Sequence, residues 1–439
     1  MRRACSLLRW MPLRWRARRL RPRRGCGVRP TALGRVAAQY YLKHPSAATL
    51  AAAVAARGGA PCGPASLLRA VAACAEFDEL PVRHNEDVAN LELARKVTAA
   101  GGWPTDTRAP EAPATKAHLL LQCHLLRLIP PIADYATDAR GVLDNAARLL
   151  PAALDAAALA GSAPAAAAAA LLCQCVSQAR HPAAFASPEA MSLAALPHIG
   201  AAAADRLRAA GIADARALAE LAQAADGRGA ERAAAALAAA GLAAAASREA
   251  AAVAARMPLL RLEATLAPAK SASASASAAA LQLSVRISRL GKPASSAGGG
   301  APRAHAPGSV RPRSEGWWLM AEDARTGTLH ALKRLTLRLP GGGQADAAML
   351  LPREAAQEGA ALRLRCVSDV YLGFDAHVQI TGQPPDEPLP AIEQLRIGDG
   401  DDGDDDDAQA EADWAARQAA NENGGGGDDT DAPEGACGA

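Results

Sequence analysis

The hydrophobic positions in the first half of the chain repeat with the period of an α-helix. Leu33, Val36, Ala37 and Tyr40 lie three and four residues apart, so they fall on one face of a helix. Similar runs follow, separated by proline and glycine. The pattern predicts a bundle of about seven helices within residues 29–190. The predicted helices cover residues 33–41, 46–54, 66–75, 88–97, 115–128, 138–154 and 165–180.

A shorter helical unit is predicted over residues 191–256. Residues 196–200 (Leu-Pro-His-Ile-Gly) lead into one helix, and Gly211 breaks the chain before a second helix at 215–222. This is the plan of a helix-hairpin-helix module, which offers backbone N–H groups at a helix N-terminus to a phosphate. Packing and nucleic-acid contact both remain open for this unit. The candidate contact residues are His198, Gly200, Arg206 and Arg208.

Beyond Pro258 the hydrophobic period changes from 3.6 to two. Six or more short strands with one apolar face predict an immunoglobulin-like β-sandwich over residues 257–395. The predicted strands cover residues 260–266, 281–287, 317–321, 329–337, 361–367 and 376–380. Inserts at 271–277 and 291–312 are rich in serine, alanine, glycine and proline, and they predict disordered loops. The fold class is therefore α+β, with several domains.

Charge is concentrated at the two ends of the 439-residue chain. The first 30 residues contain 11 arginines and no acidic residue, although the formal net charge of the whole chain is only +3. Residues 1–28 are predicted to be a disordered basic arm or a transit-like segment, and residues 396–439 a disordered acidic tail. Without the arm the remainder is acidic, which argues against a strongly basic, nonspecific nucleic-acid binder.

Nine cysteines lack the paired spacing of a disulfide framework, which favours a reducing compartment. Cys173, Cys175 and His181 could be metal ligands, but their spacing fits no known zinc module, so packing in the core is the preferred interpretation. No strongly apolar segment of about 20 residues is present to span a bilayer. The sequence predicts a soluble protein without a metal.

The sequence contains none of the common catalytic motifs. Its single Gly-Lys pair, at Gly291 and Lys292, is followed by proline and does not form a phosphate-binding loop. Neither a Gly-x-Ser-x-Gly elbow nor a His-Glu-x-x-His motif occurs. We expect no enzymatic activity and no cofactor on this chain.

The most polar connection between helices, residues 77–87 (Phe-Asp-Glu-Leu-Pro-Val-Arg-His-Asn-Glu-Asp), is called the polar joint here. It is either a fixed hydrogen-bonded joint or a binding site. A carboxylate–histidine catalytic site is the less favoured interpretation, because sequence neighbours in a turn rarely converge on one substrate. Asp87 is placed to cap the next helix, and Arg83 to pair with Glu79 or with the bundle.

Four other side chains are expected to be structural. His118 and His124 lie on the apolar helix at 115–128 and are expected to be core or interface histidines. Trp317 and Trp318 are adjacent on a predicted strand. We expect one ring in the core of the sandwich and the other at its edge.

The polar joint resembles the signature of the Sec sixty-three domain found in Ski-type superfamily-two helicases. The match to this signature continues after the joint with Asn90, Glu92 and Leu93. Further resemblances occur in order along residues 29–381. They are residues 34–37 (Gly-Arg-Val-Ala), 40–44 (Tyr-Tyr-Leu-Lys-His), 115–124 (Thr-Lys-Ala-His-Leu-Leu-Leu-Gln-Cys-His), 134–138 (Asp-Tyr-Ala-Thr-Asp), 142–146 (Val-Leu-Asp-Asn-Ala), 196–199 (Leu-Pro-His-Ile), 315–319 (Glu-Gly-Trp-Trp-Leu), 331–334 (Ala-Leu-Lys-Arg) and 368–375 (Ser-Asp-Val-Tyr-Leu-Gly-Phe-Asp).

Within that group the motifs at 40–44 and 115–122 look most similar to helicases of the activating signal cointegrator type, with the spliceosomal duplex-unwinding type second. The resemblance implies a non-catalytic unit that contacts RNA or DNA and helicase motor domains or other complex subunits. For the cointegrator type it implies ribosome rescue or alkylation repair in the nucleus or cytosol. ATP and Mg²⁺ would act only through a helicase core, which these residues do not contain.

The resemblance also implies roles for particular residues and leaves alternatives open. Structural or partner-docking roles fall on Arg83, His84, Asn85, Asp87, Lys116, His118, Trp317 and Trp318. We expect either a fragment of a longer helicase or a stand-alone remnant. A translocon component of the endoplasmic reticulum and a pure interaction scaffold are the alternatives, the first disfavoured because His44 and Pro45 are followed by Ser46 and not by aspartate.

Overall fold

The computed structural model describes residues 29–55, 62–268, 280–290, 303–337, 343–356 and 361–380. Within them the chain forms twelve α-helices and seven β-strands. The first seven helices are α1 (Ala32–Gln39), α2 (His44–Val54), α3 (Pro64–Ala72), α4 (Glu86–Ala99), α5 (Pro113–Leu125), α6 (Asp134–Leu159) and α7 (Ala163–Gln178). The next five are α8 (Pro188–Ala195), α9 (Ala201–Ala209), α10 (Ala215–Ala222), α11 (Gly229–Ala239) and α12 (Ala244–Ala254).

Local sequence sets the starts of many of these helices. Thr31, Ser162, Ser187 and Asp214 precede α1, α7, α8 and α10, and each side chain accepts a hydrogen bond from the backbone N–H three residues later. Such caps satisfy donors that the helix itself leaves free. Proline in the first turn of α2, α3, α5, α7 and α8 marks further starts, because its missing N–H costs nothing there.

The seven predicted helices of the bundle are present, with shifted ends. The largest shift is in α6, which runs from Asp134 to Leu159 and contains Pro151, whereas residues 138–154 were predicted. Its last turn is rich in alanine, a strong helix former with little hydrophobic signal. Likewise α8 begins at Pro188 and crosses the predicted domain boundary at 190/191.

The strands are β1 (Leu259–Pro268), β2 (Ala280–Leu290), β3 (Trp317–Asp323), β4 (Thr328–Leu335), β5 (Gln344–Pro352), β6 (Leu362–Ser368) and β7 (Ala376–Gln379). They form two antiparallel sheets, one with the order β1-β2-β5 and the other with the order β4-β3-β6-β7. Strand β5 was not predicted. Ala347, Met349 and Leu351 alternate inward, but Ala348 and the exposed Leu350 occupy the outer face, so no polar alternation is visible in the sequence.

Two buried cores hold the described residues together, and each of them combines helices with strands. The first core contains α1 to α7 together with Trp318, Met320 and Val367 of the four-stranded sheet. The second lies between the two sheets and extends to α8–α12. The four-stranded sheet is therefore covered on both faces, once by the other sheet and once by the bundle.

Trp317 and Trp318 point into different cores, because successive side chains of a strand lie on opposite faces. Trp317 belongs to the core between the sheets and Trp318 to the core of the bundle; each is 1% exposed. One ring in the sandwich core is thus confirmed. The expectation that the other ring lies at the edge is wrong, since the bundle buries it.

Residues 303–313, called the strap here, run along the C-terminal half of α7. The Gly308 N–H donates to the Ser177 carbonyl at 2.9 Å, and Gln178 Nε2 donates to the His305 carbonyl at 2.8 Å. A Cβ on Gly308 would lie 2.6 Å from backbone atoms of Val176 and Ala179. The prediction of a disordered loop over 291–312 is therefore wrong for residues 303–312. The basic arm, the acidic tail and the first insert lie outside the described residues.

We expect Trp318→Ala to lower the free energy of unfolding by about 3–5 kcal/mol, because it leaves a large cavity where the sheet meets the bundle. The measurement is urea unfolding followed by circular dichroism. Leu350→Ala, on the exposed face of β5, is the matched control and should change the midpoint little. Equal effects of the two substitutions would contradict the shared core.

Candidate functional site

Four charged side chains meet beneath the polar joint. They come from the joint, from the first residue of α4, from α5 and from α6. The members of this ionic cluster are Arg83, Glu86, Lys116 and Asp138. Both carboxylates are buried, Glu86 at 2% and Asp138 at 8% exposure. Two cations and two carboxylates make the cluster formally neutral.

Lys116 is at the centre of the ionic cluster and is wholly buried. Its Nζ donates to Glu86 Oε2 at 2.6 Å, to Asp138 Oδ2 at 2.7 Å and to the Pro81 carbonyl at 2.6 Å. These bonds use all three donors of an ammonium group. The Tyr135 ring lies below, with its centroid 4.6 Å from Nζ, so a cation–π interaction is added. From one position on α5, Lys116 thus joins the polar joint to α4 and α6.

Arg83 closes the ionic cluster on its solvent side. Its Nη1 donates to Asp138 Oδ2 at 2.8 Å and to Glu86 Oε1 at 2.9 Å. Its backbone N–H donates to Glu86 Oε2 at 2.9 Å, and its Nε lies 3.5 Å from Asp134. The hydrogen bonds to Asp138 and Glu86 raise the pKa of Arg83. Of the two predicted partners, only the bundle is correct, since Glu79 pairs with Lys43 at 3.5 Å.

A neutral hydrogen-bonded chain continues from the ionic cluster. The Tyr135 hydroxyl donates to Asn90 Oδ1 at 2.6 Å, and Asn90 Nδ2 donates to the Pro110 carbonyl at 2.7 Å. Asn90 is completely buried, so both of its bonds are protected from water. Through Asn90 and Tyr135, the connection between α4 and α5 is therefore linked to the ionic cluster that also holds the polar joint.

Burial alone would raise the pKa of Glu86 and that of Asp138. The hydrogen bonds donated by Lys116 and Arg83 outweigh burial, and both pKa values are lowered. The carboxylates therefore remain ionised at neutral pH, with their oxygens occupied by donors. Groups held this way position helices and are poorly suited to exchange protons with a substrate.

The structure separates the predicted residues of the polar joint into two sets. Arg83 belongs to the ionic cluster, whereas His84, Asn85 and Asp87 are exposed on the surface above it. Asp87 was expected to cap the next helix, and this is wrong. Helix α4 starts at Glu86, its N-cap is Asn85 with φ of 65°, and no side chain caps it. Asp87 instead places a negative charge in the first turn, which favours the helix dipole.

The sequence predicted no structural role for Glu86, Asn90, Tyr135 or Asp138, and Glu86 was considered only within the less favoured carboxylate–histidine site. The available signal was their spacing, since Glu86 and Asn90 lie four residues apart on α4, and Tyr135 and Asp138 three apart on α6. Such pairs share one helix face. A polar pair on a face that must pack against an apolar helix requires buried partners.

His118 lies in a second buried polar chain on the other side of α5. Its Nδ1 is 3.0 Å from Thr105 Oγ1, which accepts a hydrogen bond from Gln122 Nε2, and Gln122 Oε1 is 3.2 Å from His181 Nε2. Burial lowers the pKa of both His118 and His181 to about 4. Both imidazoles are therefore neutral at pH 7. Burial also lowers the pKa of His124, whose Nε2 is 2.9 Å from the Val176 carbonyl.

Residues 196–200, which lead into the predicted helix-hairpin-helix module, lie between α8 and α9 and are called the hairpin here. His198 has φ of 62°, and its Nε2 is 2.7 Å from Glu249 Oε2 of α12. Gly200 is the N-cap of α9, no side chain caps that helix, and a Cβ on Gly200 would meet no atom within 4 Å. The first turn of α9 thus faces open space.

The two arginines of α9 differ in availability. Arg206 Nε donates to the Ala240 carbonyl at 2.6 Å, at the C-terminal end of α11. The Arg208 side chain is exposed and makes no hydrogen bond or ion pair within the described residues. Of the two arginines of α9, Arg208 is therefore the one whose guanidinium is free to meet a ligand.

Five of the six cysteines that the structure describes are buried in the cores, and Cys62 is partly buried. Cys173 and Cys175 of α7 are buried, and burial raises the pKa of both thiols. In the described ranges no three histidine, cysteine, aspartate or glutamate side chains converge to hold a metal ion. None of the helices described is both long enough and apolar enough to cross a membrane.

The profile of the Sec63 Brl domain matches residues 30–381. A DExH-box ATP-dependent RNA helicase of Arabidopsis thaliana, DExH14, is 30% identical over 352 residues, which cover 79% of this chain and 14% of the relative. Human activating signal cointegrator 1 complex subunit 3 is 40% identical over 131 residues, 30% of this chain and 6% of the relative.

A yeast relative gives a shorter match. The RQC trigger complex helicase SLH1 of Saccharomyces cerevisiae is 37% identical over 92 residues, which are 20% of this chain and 5% of that protein. The chain thus spans 14% or less of the length of these three relatives.

We expect Lys116→Met to lower the free energy of unfolding by about 3–5 kcal/mol, because it leaves buried carboxylates without their cation. Urea unfolding at pH 7 measures the effect. Lys96→Met is the matched control, since Lys96 forms only a half-exposed pair with Glu92 and such pairs contribute little. A Lys116 variant as stable as the control would contradict the role of the ionic cluster.

We expect stability to fall as the pH drops from about 6.5 to 4. The unfolded chain takes up protons at the ordinary histidine pKa, whereas folded His118 and His181 do so only near 4. Each histidine therefore lowers the free energy of unfolding by about 3 kcal/mol when the pH reaches 4. The contribution of Glu86 and Asp138, whose pKa values are lowered in the folded chain, is lost as the pH falls through the ordinary carboxyl range and below it, at the acidic end of this window.

Urea unfolding at half-unit pH steps measures this dependence. The double variant His118→Gln, His181→Gln should make the curve clearly less steep between pH 6.5 and 4, leaving the smaller dependence due to His124 and other groups. The control His84→Gln, at an exposed position, should leave the curve unchanged. An equally steep curve in the double variant would contradict the assignment.

Proposed function

Since the chain belongs to the family of the Sec63 Brl domain, we propose that it is a non-catalytic unit of an RNA- or DNA-unwinding complex, contacting nucleic acid and helicase or partner subunits. The match over residues 30–381 carries this proposal. By name, the Arabidopsis relative is an ATP-dependent RNA helicase, the yeast relative is a helicase of the RQC trigger complex, and the human relative is a subunit of the activating signal cointegrator 1 complex. The sequence itself holds no phosphate-binding loop, so ATP and Mg²⁺ would act in a motor outside these residues.

The nucleic-acid contact is assigned to the hairpin between α8 and α9. An uncapped first turn of α9 leaves backbone N–H groups for a phosphate, and Arg208 supplies a free guanidinium in the last turn of the same helix, within reach of another part of the same nucleic-acid backbone. Gly200 permits close approach because its Cα carries no side chain. This arrangement supports the identity of α8–α12 as a helix-hairpin-helix module.

The partner contact is assigned to the exposed surface of the polar joint. His84, Asn85 and Asp87 are exposed on a loop whose backbone is held in place by the ionic cluster beneath it. The neighbouring Val88 is 63% exposed. A rigid base reduces the entropy lost on binding. We assign this surface to a helicase motor or another complex subunit.

The sheet region is assigned to an immunoglobulin-like sandwich. Two antiparallel sheets of three and four strands share a core, as such sandwiches do. The proposal includes the cointegrator-type role in ribosome rescue or alkylation repair, in the nucleus or cytosol. The second candidate function is a protein-interaction scaffold. It is favoured by the internal contacts of His198 and Arg206, because side chains that are already bonded within the chain are less available to a nucleic acid.

Single-stranded RNA binding by the full chain tests the nucleic-acid contact. We expect Arg208→Ala to weaken binding in fluorescence anisotropy and to reduce the slope of log Kd against log salt by about 0.7, the loss of one phosphate contact. Arg95→Ala is the control, because Arg95 is exposed on α4, away from the hairpin. The basic arm is constant in both variants.

Equal binding and equal salt slopes for the two variants would remove the hairpin from the nucleic-acid contact. Absence of binding by the unsubstituted chain at low salt would favour the scaffold.

A further inference from the structure

An open cleft of about 540 Å³ lies where the C-terminal ends of α5 and α7 meet α6 and the strap. Its volume is within the range of ligand-binding pockets. None of the proposed nucleic-acid or partner contacts lies in it. The lining residues are Cys123, His124, Arg127, Leu128, Leu143, Ala179, Pro307 and Gly308.

The cleft contains a guanidinium without a carboxylate. Arg127 follows the end of α5 with φ of 54°, and it donates through Nε and Nη2 to the carbonyls of Ala179 and Gln178 at 3.2 and 3.0 Å. Its Nη1 donors are unused. Across the described residues no acidic group lies within ion-pair distance of Arg127.

A second cation stands beside the first. Arg180 donates to the carbonyls of Ala194 and Ala179 at 2.6 and 3.4 Å, again without a carboxylate partner in the part of the chain described. Burial lowers the pKa of Arg127, and burial followed by the charge of Arg127 lowers that of Arg180 to about 10. The two helix ends supply only partial negative charge. An anion would therefore be favoured at this end of the cleft.

The remaining walls are apolar. Leu128, Leu143 and Pro307 form them, and the neighbouring rim residues Ile129 and Val310 are 86% and 43% exposed. Exposed aliphatic side chains beside an unpaired guanidinium match a peptide that carries aliphatic residues next to carboxylates. A nucleic acid would match the charge but would leave the aliphatic rim unused.

The chain contains such a peptide beyond its last described residue, Ile380. Leu389, Ile392, Leu395 and Ile397 precede a run in which six of the seven residues 401–407 are aspartate. Leu395 lies 15 positions after Ile380, a reach of up to about 50 Å. Attachment to the same chain raises the effective concentration into the millimolar range.

We propose that the cleft binds the chain's own segment 389–407, with the aliphatic side chains on the rim and wall and the aspartates at Arg127 and Arg180. The contact is independent of the hairpin and of the function assigned to it. Its ionic part weakens with salt. Any acidic peptide of a partner would have to displace this segment before it could use the cleft.

Hydrogen–deuterium exchange of the full chain tests the proposal. In low salt, neutralising the segment by substituting Asn for Asp401, Asp402, Asp404, Asp405, Asp406 and Asp407 should speed exchange several-fold in peptides covering residues 124–131 and 304–310. Arg127→Gln should produce the same change, and added salt should remove the difference from the unsubstituted chain. Peptides from α9 and α10 should be unaffected, as should all peptides of the control Arg95→Gln.

A direct measurement separates the segment from other occupants. A labelled peptide of residues 389–410 should bind the aspartate-neutralised full chain in fluorescence anisotropy, and Arg127→Gln should weaken this binding about tenfold or more. Unchanged exchange in the neutralised chain would overturn the proposal. Protection of the cleft by single-stranded RNA but not by the peptide would also overturn it, in favour of a nucleic-acid site.

Discussion

The arrangement of the helical bundle depends on one buried ammonium group. Lys116 projects from the buried helix α5 and binds oxygens from the polar joint, α4 and α6 at distances of 2.6–2.7 Å. A neutral replacement of the whole cluster could be as stable, because desolvation offsets much of the Coulomb attraction. A charged cluster, however, accepts only one mutual placement of its four members. Its contribution is therefore specificity of packing as well as stability.

The sequence predicted most elements of the fold but little of this centre. Periods of 3.6 and two identified nine of the twelve described helices and six of the seven described strands, because burial of one face imposes them. Helices α8, α11 and α12 were not predicted. Strand β5 escaped because alanine and Leu350 occupy its outer face. The ionic cluster joins residues up to 55 positions apart, and spacing along one helix cannot say which distant side chain completes a pair. The strap escaped for a similar reason, since Gly308 is required by α7 and not by its own neighbours.

The central part of the four-stranded sheet is buried on both faces. One face packs against the other sheet, and the helical bundle covers the face that would otherwise be exposed to solvent. The two cores therefore do not follow the domain boundaries predicted from hydrophobic periodicity. The outer face of the sheet packs against α6 and α7, so it is not available to a partner. The contacts proposed above use other surfaces: the polar joint, the hairpin and the cleft at the strap.

The adjacent tryptophans of β3 have a consequence for strand pairing. A shift of β3 by one residue would still place one tryptophan ring on each face of the sheet, so the distribution of the two rings between the cores does not by itself specify the register. That task falls to the end of the strand, where buried Glu322 accepts a hydrogen bond from Arg363 at 2.7 Å. A slipped strand would bury this carboxylate without its partner, at a cost of several kcal/mol. The ion pair between Glu322 and Arg363 therefore favours the native register of β3 over the register shifted by one residue.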